Sequence, residues 1–162
     1  MSEGVEEVFD LHPKNDNGLV DCGVSNDAAW QRRGFSSNNG FLTSISIDTG
    51  KILDVEAMSR ICRGCEAHKK LEKENQAKYL QWKADHVCQK NHKRSTPVME
   101  SEGAVRVFSR SINKHRLRYM QFYGDGDSKS FAADENTYDI NDKVVKYVSD
   151  MFKSAWVLVC EH

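Results

Sequence analysis

Four cysteine and histidine residues have the spacing of a metal site. Cys62 and Cys65 form a Cys-x-x-Cys pair, and His86 and Cys88 form a second close pair beyond a lysine- and glutamate-rich stretch. Three thiolates and one imidazole complete the tetrahedral coordination of zinc, and two close pairs around a longer loop are typical of a structural site. His92 is a competing fourth ligand, because it follows Cys88 at a permissible spacing. A redox pair or unrelated thiols are the alternatives, but the low apolar content of the intervening segment favours zinc.

Three aspartates form a second candidate site. Asp27 lies within a predicted strand, while Asp125 and Asp127 follow another predicted strand at an abrupt Gly-Asp-Gly-Asp sequence. If these strands are neighbours in a mixed sheet, the carboxylates converge at one edge. Convergent carboxylates are the ligands that a pair of Mg²⁺ ions needs for phosphoryl transfer. Taken alone, Asp-Gly-Asp is more typical of a simple turn.

A basic block makes a third candidate site. The chain of 162 residues has a formal net charge of −1, but residues 89–118 carry a strong excess of lysine and arginine. The candidate DNA contacts are Arg106, Arg110 and Lys114 of this block, together with Arg32 and Arg33 just beyond the first predicted strand. A solvated helix face is the ordinary interpretation of such a row. Its coincidence with the aspartates favours a groove for DNA phosphates.

The apolar pattern predicts the elements that position these residues. Alternating stretches over 24–30, 41–48 and 51–58 predict a three-stranded antiparallel meander. Apolar residues at helical spacing predict an amphipathic helix over 98–115, and a strand over 117–123 follows it. A short helical pattern from Ser128 and a strand near 144–148 complete the order. Strand, strand, strand, helix, strand, helix, strand is an α/β arrangement with a mixed sheet.

The remaining chain divides around this core. We expect a poorly structured lead-in over residues 1–23 and an insertion over residues 60–95, which contains an exposed helix over 68–85. The length allows one domain. No stretch is apolar enough to cross a membrane, the acidic N-terminus is unlike a signal peptide, and the five cysteines are an odd number. These features favour an intracellular protein, with no membrane partner and no small-molecule cofactor. They predict no particular oligomeric state.

Several motifs in order resemble the Mutator-like transposase domain found in many animal proteins. The matching stretches are Asp27-Ala-Ala-Trp30 followed by Gln-Arg-Arg-Gly34, Asp48-Thr-Gly50, Cys62-x-x-Cys65, Trp82-x3-His86-x-Cys88 and Tyr123-Gly-Asp125-Gly-Asp127. Their order and spacing agree with the family over residues 24–147. So many ordered matches make a chance resemblance unlikely.

The resemblance implies an RNase H-like fold and an ancestral activity in DNA transposition. In that activity, acidic residues and Mg²⁺ or Mn²⁺ cleave and transfer DNA strands. By position, Asp27 is the first catalytic acid and Asp125 the second, with Asp127 as the alternative to Asp125. The resemblance implies DNA as the partner and a nuclear location. The cysteine-containing segment corresponds to the family's insertion between the third strand and the first helix.

Two departures from the family pattern change the expectation. Asp27 is followed by Ala-Ala where Gly-Thr is usual, and residues 148–162 diverge from the family. We interpret that tail as a C-terminal truncation that omits the region bearing the third acidic residue. The catalytic set is then incomplete. The alternative function is a non-catalytic DNA-binding or protein-interaction module that keeps a structural zinc site.

Overall fold

The computed structural model describes residues 2–32, 37–124, 137–138 and 143–148. Their elements in chain order are α1 (Ser2–Leu11), β1 (Val20–Trp30), β2 (Asn39–Ser46), β3 (Ile52–Ser59), α2 (Arg63–Ala67), α3 (Lys69–Glu74), α4 (Gln76–Asp85), α5 (Thr96–His115), β4 (Leu117–Gly124) and β5 (Val145–Val148). This confirms the predicted mixed α/β class. The helix predicted from Ser128 lies outside the described residues.

One mixed sheet of five strands has the order β3-β2-β1-β4-β5. The chain runs antiparallel from β1 through β2 to β3, as the alternating pattern predicts. β4 pairs in parallel with β1, and β5 pairs in parallel with β4. β1 and β4 therefore end at the same edge of the sheet, which is the edge where ligands bind in many α/β proteins.

The core lies between α5 and the sheet. Apolar residues recur on one side of α5, among them Ala104, Val107 and Phe108, and all three are fully buried. The Phe108 ring meets Tyr119 of β4 edge to face, with ring centroids 5.3 Å apart. Arg116 ends the helix in the left-handed conformation, at φ 58°. Because the helix ends at this left-handed residue, the chain enters β4 directly at Leu117. α5 and β4 therefore pack in the same core.

The N-terminal segment differs from the expectation. Residues 1–23 were predicted to be a poorly structured lead-in, but α1 occupies Ser2–Leu11 and β1 already begins at Val20. Val5 and Val8 of α1 are buried in the main core. The prediction was wrong because two valines three residues apart are a weak periodic signal, which gains its meaning only from the apolar surface that they meet.

The insertion also differs in detail from the expected single helix. Three short helices, α2 to α4, replace it, and none of them contains a buried residue. Asn75 separates the last two, and its side chain accepts a hydrogen bond from the Lys78 N–H to begin α4. In the described part of the chain, no helix is both long and apolar enough to cross a membrane.

Candidate functional site

The four predicted metal ligands come together. The donor atoms of Cys62, Cys65, His86 and Cys88 all lie within 4.8 Å of one another. His86 Nε2 lies 3.1 Å from Cys62 Sγ and 3.4 Å from Cys65 Sγ, and the sulfurs of Cys65 and Cys88 are 3.6 Å apart. A tetrahedral zinc ion with ordinary Zn–S and Zn–N bonds has ligand-to-ligand distances of about 3.5–3.8 Å. The cluster could therefore hold a metal such as zinc.

The start of α2 and the end of α4 position these ligands. Cys62 immediately precedes α2 and Cys65 lies within it, whereas His86 immediately follows α4. Backbone N–H groups of Cys65 and Gln89 donate to the Cys62 sulfur and lower the pKa of that thiol to about 6. A metal binds the thiolate form of cysteine. The local backbone therefore favours the ligand form of Cys62.

Contacts outside the ligand set orient His86. The Trp82 ring stacks on His86 with centroids 4.4 Å apart, and His68 stacks on Trp82 at 3.9 Å. A Cβ atom at Gly64 would lie 2.7 Å from His86 Cε1, so this position needs glycine. Lys83 Nζ lies 3.4 Å from Cys65 Sγ. Sequence reasoning missed Gly64 and Trp82 as positioning residues, although Trp82 stands one helical turn before His86.

His92, the competing ligand, is not part of the cluster. Its ring is buried, with Nδ1 2.9 Å from a carboxylate oxygen of Glu102 and Nε2 3.4 Å from the Ser95 carbonyl oxygen. The spacing from Cys88 allowed either histidine. The structure brings His86 to the three cysteines because the end of α4 returns to the start of α2.

Asp27 lies on β1 near the edge where the parallel strands end. Its side chain is exposed, and across the sheet it pairs with Thr43 of β2. Two residues earlier, Ser25 pairs with Tyr123 of β4. The predicted partners Asp125 and Asp127 lie outside the described residues, so their convergence with Asp27 stays a prediction.

The predicted DNA contacts fall into two groups. Arg32 is exposed just beyond β1, and Arg33 lies outside the described residues. Arg106, Arg110 and Lys114 lie along one side of α5, as predicted, but they form ion pairs with carboxylates. Their role in DNA binding stays a prediction, since the structure already gives each of them a partner within the fold.

These ion pairs join α5 to β3. Arg110 Nε and Lys114 Nζ each lie 2.7 Å from an oxygen of Asp54, which is fully buried. Glu56 binds Arg110 as well as Arg106, at 3.1 Å from the latter. Burial by itself would raise the pKa of Asp54, but hydrogen bonds from Arg110 and Lys114 outweigh burial and hold it below its ordinary value.

Sequence reasoning missed the carboxylates that neutralise α5. A usable signal exists in the two periodicities: Asp54 and Glu56 are two residues apart, so they share one face of a strand, and the α5 cations are four apart, so they share one face of a helix. Two such rows of opposite charge can form ion pairs where the helix packs beside the strand, as they do here.

Comparison with known proteins identifies the family. Neither a curated protein nor a solved structure matches the chain. The family model for the Mutator-like transposase matches residues 1–152. The match includes α1, the sheet strands and the Cys/His cluster, and it reaches beyond the 24–147 range of the motif resemblance at both ends. The chain therefore belongs to the Mutator-like transposase family.

Proposed function

We propose that the chain is a transposase-derived, RNase H-like unit whose ancestral reaction is metal-dependent cleavage and transfer of DNA strands. The observation that carries the proposal is the parallel pairing of β1 with β4. β1 bears Asp27 near its end, and the sequence after β4 continues at once to Asp125. Parallel strands deliver their carboxyl ends to the same edge, which supports a shared carboxylate site.

The roles of the residues follow from this arrangement. Asp27 is the first metal-binding carboxylate and Asp125 the second, with Asp127 as the alternative to Asp125. Oxygen ligands of this kind suit Mg²⁺ and Mn²⁺. Such cations, when bound, stabilise negative charge on the attacking and leaving oxygens of a phosphodiester. DNA is the partner in this proposal, and a nuclear location is its cellular counterpart.

The number of carboxylates sets the expected activity. The proposal assigns two positions and no third one. We therefore expect the chain alone to bind Mn²⁺ at Asp27 but to cleave DNA slowly or not at all.

Mn²⁺ binding and DNA nicking on the intact chain test the proposal together. We expect Asp27→Asn and Asp125→Asn each to weaken Mn²⁺ binding, measured by electron paramagnetic resonance, by about tenfold or more. Asp16→Asn, which changes an exposed aspartate away from this edge, is the matched control. Unchanged Mn²⁺ binding in both variants would contradict the proposal. Robust nicking that both substitutions abolish would support the carboxylate site and overturn only the expectation of low activity.

A non-catalytic DNA-binding or protein-interaction module with a structural zinc site is the second candidate. The Cys/His cluster favours it, because that cluster joins both ends of a segment whose helices bury no residue. Zinc would then supply the stability that an apolar core supplies elsewhere. DNA binding that is insensitive to Asp27→Asn and shows no dependence on Mn²⁺ would favour this candidate over the first.

A further inference from the structure

Two segments that meet at the Cys/His cluster carry only positive charge. Residues 59–65 and 86–95 contain five arginines and lysines and no aspartate or glutamate. We name these five residues the junction cations: Arg60, Arg63, Lys90, Lys93 and Arg94.

The two segments are held side by side. The Asn91 N–H donates to the Ser59 carbonyl oxygen at 3.0 Å, and the Ser59 N–H donates to Asn91 Oδ1 at 2.8 Å. The Asn91 side-chain amide also donates to the Ala57 carbonyl oxygen at 2.7 Å. A few residues away, the cluster brings Cys62 and Cys65 to Cys88. The junction cations therefore share one region of the surface, although the 20 residues 66–85 separate their segments in the sequence.

These charges are not neutralised locally. Among residues 2–32, 37–124, 137–138 and 143–148, none of the junction cations forms an ion pair. Arg60 is half-buried and the other four are exposed. A bound zinc ion with three thiolates carries a net charge of −1, which leaves a clear positive excess.

The start of α5 increases this positive character. Lys93 and Arg94 precede Ser95, the N-cap of the helix, which begins at Thr96 and has no acidic residue in its first turn. The N-terminal end of a helix dipole is positive, so it repels cations and attracts anions. Cations at this position oppose the stability of the fold, and a polyanionic ligand would compensate for them.

The junction lies at the edge of the sheet that carries Asp27. The Arg60 N–H donates to the Asn38 carbonyl oxygen at 2.8 Å, just before β2, and the Gln31 N–H, just after β1, donates to the Asn39 carbonyl oxygen at 3.0 Å. Asp27 is three residues before the end of β1, or roughly 10 Å along the strand. The junction cations and the candidate carboxylate thus face the same end of the molecule.

We propose that the junction cations bind the backbone phosphates of DNA next to the Asp27 edge, and that the Cys/His cluster holds them in place. This inference rests on the proposed function, which supplies DNA as the polyanion. It assigns phosphate binding to the junction cations of the insertion instead of the cations of α5. A group of cations without any acidic member fits a phosphate backbone better than it fits the mixed charges of a protein surface.

The test compares two triple variants of the intact chain with equal charge loss. Lys90→Gln/Lys93→Gln/Arg94→Gln removes three junction cations. Lys70→Gln/Lys73→Gln/Lys78→Gln removes three exposed lysines of α3 and α4 and serves as the matched control. Fluorescence anisotropy of a labelled DNA duplex over a salt series measures both affinity and its salt dependence.

We expect the junction variant to lose affinity by about tenfold or more near 0.1 M salt, and the slope of log K against log salt to fall in magnitude by roughly 2–3. The control should change affinity less than about threefold. The melting temperature of the junction variant should stay the same or rise, because cations next to the start of α5 are removed. If the junction cations only stabilised the fold, their removal would lower the melting temperature.

The contrary outcomes are distinct. Equal loss of affinity in both variants, or unchanged affinity in the junction variant, would overturn this inference and leave DNA as the partner. No binding of DNA by the unmodified chain, even at low salt, would overturn the DNA partner of the proposed function as well. Stronger binding of duplex RNA or polyglutamate than of DNA would overturn the assignment of this surface to DNA.

Discussion

The α5 cations and the junction cations are both clusters of lysine and arginine, but their surroundings differ. Arg106, Arg110 and Lys114 of α5 face β3, where Asp54 and Glu56 neutralise them. The junction cations meet no carboxylate in the described part of the chain. The number of basic residues in a stretch of sequence therefore does not identify a nucleic-acid surface. What lies opposite the charges decides whether they stabilise the fold or remain available to a ligand.

The two groups also differ in what their loss would cost. Asp54 is fully buried, and a buried carboxylate is strongly destabilising unless cations pair with it. The α5 cations are thus part of the fold. The junction cations lie beside a Cys/His cluster that could hold a metal, in a segment whose helices bury no residue. If the cluster holds them in place as proposed, we expect their removal to cost little stability.

The largest expected effect follows from loss of the metal site. Cys62→Ser should abolish binding of one equivalent of zinc and expose the amides of α2 to α4 to hydrogen exchange, because structural zinc contributes about 10 kcal/mol or more of binding free energy. DNA affinity should fall as in the junction variant, while the amides of α5 and the sheet stay protected. Elemental analysis measures the zinc content, hydrogen exchange measures the protection of the amides, and fluorescence anisotropy measures the DNA affinity.

Cys22 provides the matched control for that prediction. Its thiol is buried outside the cluster, and burial raises its pKa to about 12. Cys22→Ala should keep the full equivalent of zinc. Metal-free protein with protected α2 to α4 amides would show that the cluster does not hold the junction.

The second effect concerns the α5 cations. Asp54→Asn removes the charge that Arg110 and Lys114 share, and we expect a loss of about 2–3 kcal/mol in the free energy of unfolding. The value is at the low end for a buried pair because the two cations are 31% and 39% exposed. Urea denaturation measures the loss, and Asp16→Asn should stay within about 0.5 kcal/mol of wild type. An Asp54→Asn variant as stable as wild type would contradict the structural role of these pairs.

The smallest effect is the pH dependence of the same ion pairs. Because the pKa of Asp54 is lowered in the folded chain, its contribution to stability is present above its ordinary pKa of about 4 and is lost as the pH falls through the lowered value. His115 acts in the same direction below about pH 6.5, since burial lowers its pKa and favours the neutral ring.

Urea denaturation at a series of pH values checks this dependence. Between about pH 5 and pH 3, wild type should lose more stability than Asp54→Asn, which lacks the titrating carboxylate. Parallel losses in the two proteins would assign the acid sensitivity to other groups.

The sequence predicted those features that depend on neighbours along the chain. Alternating residues located β2 and β3 to within a few positions, and helical spacing located α5. The Cys-x-x-Cys and His-x-Cys pairs predicted the residues that form the Cys/His cluster, with His92 as the alternative to His86. The family match confirms the resemblance that the ordered motifs indicated.

Other features required the packed structure. α1 was missed because Val5 and Val8 are a weak pattern until the core covers them. The choice between His86 and His92 depended on where the chain returns after α4, and spacing alone allowed both.

The amino-acid sequence by itself determined the family, the strands of the meander and the three cysteines of the Cys/His cluster, because each of these depends on residue type and spacing within short segments. Only the tertiary structure decided which cations are neutralised. Coulomb interactions act through space, and Asp54 meets Arg110 across 56 positions of the chain, at a distance of 2.7 Å. Hydrogen bonds between Ser59 and Asn91 likewise join the segments of Arg60 and Lys90, which are remote in sequence, although the like charges of these two residues repel each other.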